Sequence, residues 1–185
     1  AEAGGPAVYV GYSMGGRMAL QLAVDRPDVV QGLVVVGGTP GIEDAAERAA
    51  RREADHALAQ RIRDEGVDAF IRYWLDLPLF AGLPPEARFE DERRRNTTEG
   101  LATSLERAGT GSQEPLWDRL GALDMPVLLV AGQEDPRYVD LAVRTSAAIG
   151  PGPELSLIPY AGHSVHLEQP DRFAGALRGW LACGT

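Results

Sequence analysis

The sequence predicts an α/β fold in which a parallel sheet is covered by helices on both faces, and three observations carry that prediction. Its apolar runs are continuous rather than alternating, as befits strands buried on both sides. Helix-forming segments separate those runs. A serine flanked by glycines, Gly11-Tyr12-Ser13-Met14-Gly15-Gly16, stands between the first run and the first helical segment.

The elements follow in order. Ala7-Val8-Tyr9-Val10 is a short apolar run ending in glycine and reads as a buried strand. Met14 to Arg26 is helical, with Met18 and Leu22 and the small Ala19 and Ala23 at helical spacing, and Pro27 stops it. Gly32-Leu33-Val34-Val35-Val36 is a second strand, running into the turn-rich Gly37-Gly38-Thr39-Pro40-Gly41. Val127-Leu128-Leu129-Val130 is a third and Leu155-Ser156-Leu157-Ile158 a fourth. The second and third strands are separated by far more chain than a βα connection needs. Glu43 to Glu65 is charged, alanine-rich and free of breakers; Val67 to Leu75 sets Phe70, Ile71, Trp74 and Leu75 on one face. Pro78, Pro84 and Pro85 interrupt, and Glu86 to Arg107 resumes helical character. The insert is therefore expected to form a helical cap over residues 41–111, with residues 1–40 and 112–185 forming the core.

At 185 residues with 44% hydrophobic side chains, the chain can build a substantial core. No apolar run reaches the roughly 18 to 20 residues that span a bilayer, and no basic segment leads into an apolar one as in a secretory signal. Cys183 is the one cysteine, which excludes an internal disulfide framework. These features predict a cytoplasmic protein. A net charge of −9 argues against nucleic acid or anionic membrane as a general partner. All 18 basic residues are arginine, and 11 of them fall between residues 41 and 112. A biased genomic base composition would produce this pattern without any function; most of these arginines should be solvated, leaving a few to act as planar carboxylate binders.

Gly-x-Ser-x-Gly between a strand and a helix has a mechanical rationale. The serine sits on a tight, strained turn that lifts its hydroxyl above the sheet, and the helix N-terminus, with the Met14 amide, can donate to a developing oxyanion. Such a serine needs a base, and the base an orienting carboxylate. The third strand runs into Ala131-Gly132-Gln133-Glu134-Asp135 and the fourth into Pro159-Tyr160-Ala161-Gly162-His163, so Asp135 and His163 share the sheet edge of Ser13. Glu134 could replace Asp135, and His166 lies three residues beyond His163; His56 reads as a surface residue of the insert. Ser13, Asp135 and His163 form the expected triad. No cofactor or metal site is expected, since His163 and His166 lack a carboxylate spacing that completes one.

With these residues in hand, the chain resembles the α/β-hydrolase fold, and more narrowly the 2-succinyl-6-hydroxy-2,4-cyclohexadiene-1-carboxylate synthase family of menaquinone synthesis. Besides the elbow through Arg17, the matching pieces are Glu47-Arg48-Ala49-Ala50-Arg51, Trp74 with Pro78-Leu79-Phe80, and Gly109-Thr110-Gly111-Ser112-Gln113. Ala161-Gly162-His163-Ser164-Val165-His166-Leu167-Glu168 matches as well. The resemblance implies a lyase that eliminates pyruvate from a cyclohexene bearing three carboxylates, the triad serine abstracting a ring proton without an acyl-enzyme. It implies Arg17, Arg51 and Arg95 as carboxylate binders and Tyr12 and Trp74 as pocket aromatics. Arg17 also reads as a helix-surface residue, Arg51 neighbours Arg52, Arg95 lies in the run Arg93-Arg94-Arg95, and Trp74 also reads as a core anchor. The partner is then a small polycarboxylate; oligomeric state is not legible.

Only Ala1 to Val10 precede Gly11, and the first residue is not methionine. The family's early strands, and the loop that supplies a second oxyanion-hole amide, are absent from these residues, which implies an N-terminally truncated member of reduced activity. A serine esterase or carbon–carbon bond hydrolase of the same fold is the alternative enzyme, and a non-catalytic fragment the alternative from another class.

Overall fold

The computed structural model describes residues 5–183. Their strands, β1 (Ala7–Tyr12), β2 (Val30–Val36), β3 (Val127–Gly132) and β4 (Glu154–Ile158), pair in parallel and in chain order. The helices are α1 (Met14–Asp25), α2 (Ala45–Leu75), α3 (Glu90–Arg93), α4 (Thr98–Ala108), α5 (Pro136–Ile149), α6 (Val165–Glu168) and α7 (Pro170–Ala182). None of them is long and apolar enough to cross a membrane.

The described residues divide into two compact units. One holds the residues up to Pro40 and from Leu116 onward, the other Gly41–Pro115. In the first, β2 shows why its strands are apolar throughout. Leu33 and Val35 pack with Leu129, Ala131, Leu20 and Ala23 of α1, and Ala142 of α5. Val34 and Val36 pack on the other face with Leu128, Val130, Ile158 and Trp180 of α7. A strand covered on both faces has no polar side, and burying each such side chain contributes about 1.5–3 kcal/mol. The α/β architecture predicted from the apolar runs is the one observed.

One expectation for α1 fails. The buried face is Gly16, Arg17, Ala19, Leu20 and Ala23, while Met18 is 45% exposed. Leu20 takes the core position because a face spaced by three and four residues from Gly16 passes through residues 19, 20 and 23, not 18.

The second unit is helical. Asp44 caps α2 by accepting from the Glu47 amide, and Gly66 breaks the helix at φ 82°, ψ 175°, between the two segments read from the sequence. Residues 86–107 are not one continuous helix, however. Phe89 adopts a left-handed conformation, α3 is a single turn, and Thr97 starts α4 afresh by accepting from the Gly100 amide at 3.0 Å. Ala59, Ile62 and Ala102 are fully buried where α2 meets α4, with Phe70 and Leu105 around them. The Gly109–Gly111 stretch lies directly on α2: a methyl at Gly111 would overlap the backbone of Arg52. The ends of this unit also meet, with Gly41 against Pro115. In the first unit the Leu116 amide donates to the Pro40 carbonyl at 2.8 Å.

Arg63 of α2 ties the pair together by donating to both oxygens of Glu99, at 3.0 and 2.8 Å, and to Glu106, all on α4. Arg63, and then the Thr103 hydroxyl, hold the Glu99 carboxyl down from an ordinary 4.5 to about 2. A depressed carboxyl pKa stabilises the fold above the unfolded value and stops doing so as pH falls through the folded one. The melting temperature should therefore decline between pH 4.5 and 2, and Arg63→Met should lower it at neutral pH while leaving the most acidic value unchanged. Parallel melting curves for the two proteins across the whole range would contradict this.

Candidate active site

β1, β3 and β4 end at the same edge of the sheet, and each delivers one residue. Ser13 follows β1 with φ 50° and ψ −110°, a strained conformation of the kind that costs about 1–3 kcal/mol and is held by its surroundings. Its amide donates to the Val36 carbonyl at 2.8 Å, and its carbonyl accepts from the Arg17 amide at 3.1 Å as α1 begins. The turn needs glycine before it, because a methyl at Gly11 would overlap the Gly15 carbonyl. Gly15 itself meets nothing; on the helix side the tight position is Gly16, where a methyl would stand 3.1 Å from the Gly11 carbonyl oxygen and 3.2 Å from Val35.

His163 faces Ser13 Oγ with Nε2 at 3.0 Å and Asp135 Oδ2 with Nδ1 at 3.0 Å. An ionised carboxylate only accepts, so Nδ1 carries the proton and Nε2 is left to accept from the serine hydroxyl. Asp135 also caps α5, its Oδ1 accepting from the Tyr138 amide at 3.3 Å. Both carboxylate oxygens are thereby occupied and the group is oriented. The His163 side chain is 1% exposed, with the Tyr138 ring 4.4 Å from it between centroids and Gly37 on its flank. Glu134 is exposed and bonds neither of them through its side chain.

Three other expected residues lie beside these. Tyr12 places its hydroxyl 2.9 Å from Ser164 Oγ, with its ring 5.3 Å from that of His163 and 4.5 Å from that of His166. Met14 opens α1 and is 45% exposed; Arg17 is buried one turn further on. His166 holds Nδ1 buried without a partner, and burial, then the charge of His163, keeps its pKa below the ordinary 6.5.

The remaining expected residues belong to the helical unit, each with surroundings of its own. Arg51 donates from Nε to Asp55 at 2.8 Å, and Asp55 is only 3% exposed, its other oxygen facing the Gly111 amide. Arg95 is exposed in the turn after α3. The Trp74 ring lies tilted against those of Phe70 and Phe80, at 5.4 and 5.8 Å between centroids, and is half-buried. Sequence reasoning missed Tyr138, Asp55 and Glu168. Only Tyr138 had a local signal, since Asp135-Pro136 announces a helix start whose third residue turns back toward the cap.

Comparison with known proteins gives this arrangement a context. Residues 1–176 match the model of the alpha/beta hydrolase family. A Bacillus subtilis protein provisionally assigned as a 2-succinyl-6-hydroxy-2,4-cyclohexadiene-1-carboxylate synthase is 40% identical over 177 residues, which is 93% of this chain and 64% of that protein. The synthase of that name from Serratia proteamaculans is 37% identical over 93% of this chain and 66% of its own. The structure of MenH from S. aureus matches with a TM-score of 0.89 at 33% identity, over 94% of this chain and 66% of that one. The chain thus spans slightly less than two thirds of the length of these relatives.

Proposed function

Since the chain belongs to the alpha/beta hydrolase family, we propose that Ser13, His163 and Asp135 act as a triad that eliminates pyruvate from a cyclohexene tricarboxylate. The product is 2-succinyl-6-hydroxy-2,4-cyclohexadiene-1-carboxylate. The observation that carries this reading is the unbroken relay Asp135–His163–Ser13, two contacts of 3.0 Å with the imidazole tautomer fixed between them. Similarity to synthases of that name supports the choice of reaction.

His163 Nε2 takes the serine proton as Ser13 Oγ takes a proton from the ring carbon. The C–H electron pair becomes a ring double bond, the C–O bond to the enolpyruvyl group breaks, and the proton on His163 goes to the departing group. Serine and histidine return to their starting states with no bond to the substrate. The Met14 amide, at the start of α1, is the donor proposed for negative charge that develops near Ser13.

A substrate with three carboxylates gives a reason for fixed cations in a chain of net charge −9. Arg17, Arg51 and Arg95 are the proposed carboxylate binders, and Tyr12 and Trp74 the proposed aromatic contacts. Among these Arg17 is the most constrained, being buried. Incubating the chain with the tricarboxylate and following pyruvate release tests the reaction. Pyruvate should form in step with product in the wild type and not in Ser13→Ala. Arg17→Met should lower kcat/KM about 10- to 100-fold, the worth of one or two hydrogen bonds to a charged group. Hydrolysis of neutral esters without pyruvate formation, indifferent to Arg17, would refute the lyase.

A further inference from the structure

The loop that carries His163 is held by a residue that the relay itself leaves unused. Glu168 lies at the end of α6, five residues beyond the histidine. Its carboxylate reaches back to accept from the Gly162 amide through Oε2 at 2.7 Å and from the Ser164 amide through Oε1 at 2.9 Å. Those are the two backbone donors on either side of His163. Both bonds are charge-assisted, the stronger and shorter class, and two contacts from one rigid carboxylate fix a segment in direction as well as distance.

Neighbouring contacts extend the same restraint. Gln169 donates to the carbonyl of Tyr160, which is in the left-handed region at φ 60°, so the entry to the loop is tied as well. Ser164, 1% exposed, meets the Tyr12 hydroxyl one residue before Ser13. A methyl at Gly162 would stand 3.2 Å from Glu168 Oε2, a tight contact, so the carboxylate lies close against the loop backbone.

We propose that Glu168 is the positioning residue for His163, its carboxylate clamping the amides on both sides of the histidine and thereby setting the imidazole between Ser13 and Asp135. This rests on the reading of those three residues as a reactive triad. Proton transfer along two 3.0 Å contacts tolerates little displacement, and a 1 Å error in placement can cost about 10² in rate. Glu168 touches neither ring nitrogen; it acts through the backbone.

Glu168→Gln tests the clamp, because an amide offers one acceptor where the carboxylate offers two and sets an N–H against one of the loop amides. The probe is a fluorophosphonate, which labels an activated serine irrespective of substrate identity. The maximal labelling rate of Glu168→Gln is expected to fall about 10²-fold, with the half-saturating probe concentration and the melting curve near those of the wild type. A second measurement reads the histidine directly. In protein labelled with ¹⁵N-histidine, His163 of the wild type should show one tautomer with its proton on Nδ1, and Glu168→Gln a mixture. Unchanged labelling and an unchanged tautomer would overturn the proposal. So would failure of both Glu168→Gln and Glu168→Ala to fold, or a rate loss no greater than the loss of folded protein, either of which makes Glu168 a purely structural residue. Absence of labelling in folded wild type would instead refute the triad, and the tautomer comparison would still decide the role of Glu168.

Discussion

Asp135→Asn is expected to lower turnover by about 10⁴ while leaving the melting temperature and KM nearly unchanged. The carboxylate accepts from His163 Nδ1 at 3.0 Å through one oxygen and from the Tyr138 amide through the other. An asparagine can keep the helix cap with its carbonyl oxygen, but it then turns its NH2 toward Nδ1. The imidazole must move its proton to Nε2 to accept that bond, and Nε2 can no longer accept from Ser13. Fold and binding survive while the base is lost. Ser13→Ala and His163→Ala should each cost at least as much, and the double variant Ser13→Ala/Asp135→Asn no more than Ser13→Ala alone, since the three act as one unit. Pyruvate release and fluorophosphonate labelling both read this. Additive losses in the double variant would mean that Asp135 acts independently of the serine.

The second large effect is expected at a residue with no polar side chain. Gly37 follows β2 at φ 56°, and a methyl built there would lie 3.0 Å from Cε1 and 3.2 Å from Nδ1 of His163. Gly37→Ala asks for a left-handed backbone that costs an L-residue about 1–2 kcal/mol, and it presses on a ring boxed in by Tyr138 and Tyr12. The ring must shift away from its partners. Activity should drop by about 10² or more, out of proportion to the lost stability, and the substitution should have no further effect on a His163→Ala background. Thermal melts beside labelling rates separate the two contributions. A loss that persists undiminished in the His163→Ala background would assign Gly37 a purely backbone role.

These cases mark where sequence reading succeeds and where it stops. The positions of Ser13, Asp135 and His163 follow from the apolar runs that precede them, because a parallel sheet brings the ends of its strands to one edge. Their pairing needed only the order of the chain. Gly37 and Glu168 carry no such mark. A glycine after a strand reads as a turn, and a glutamate near a helix end reads as a solvated charge. What each does depends on a side chain or amide that the fold brings close, Cε1 of His163 in one case and the amides around it in the other. Asp55 is the clearest instance, an acid in a charged helix that proves to be buried and bonded to Arg51. The interrupted helix between Glu86 and Arg107 was missed for a related reason. Phe89 in a left-handed conformation is not encoded by any local propensity, whereas Thr97 offered a cap that could have been read.

The meeting of Gly41 with Pro115, and the bond from Leu116 to the Pro40 carbonyl, bear on how the chain reaches its native state. Joining β2 to β3 requires closing everything between them. The entropic cost of closing a flexible loop rises by about 0.6 kcal/mol with each doubling of its length, and long separations between pairing strands slow folding. If the helical insert collapses on its own short-range α2–α4 contacts first, its two ends arrive side by side. The sheet then meets a connection only a few residues long, and the search that would have been long-range becomes local. On that order the insertion adds little to the cost of closing the connection between its two flanking strands, β2 and β3.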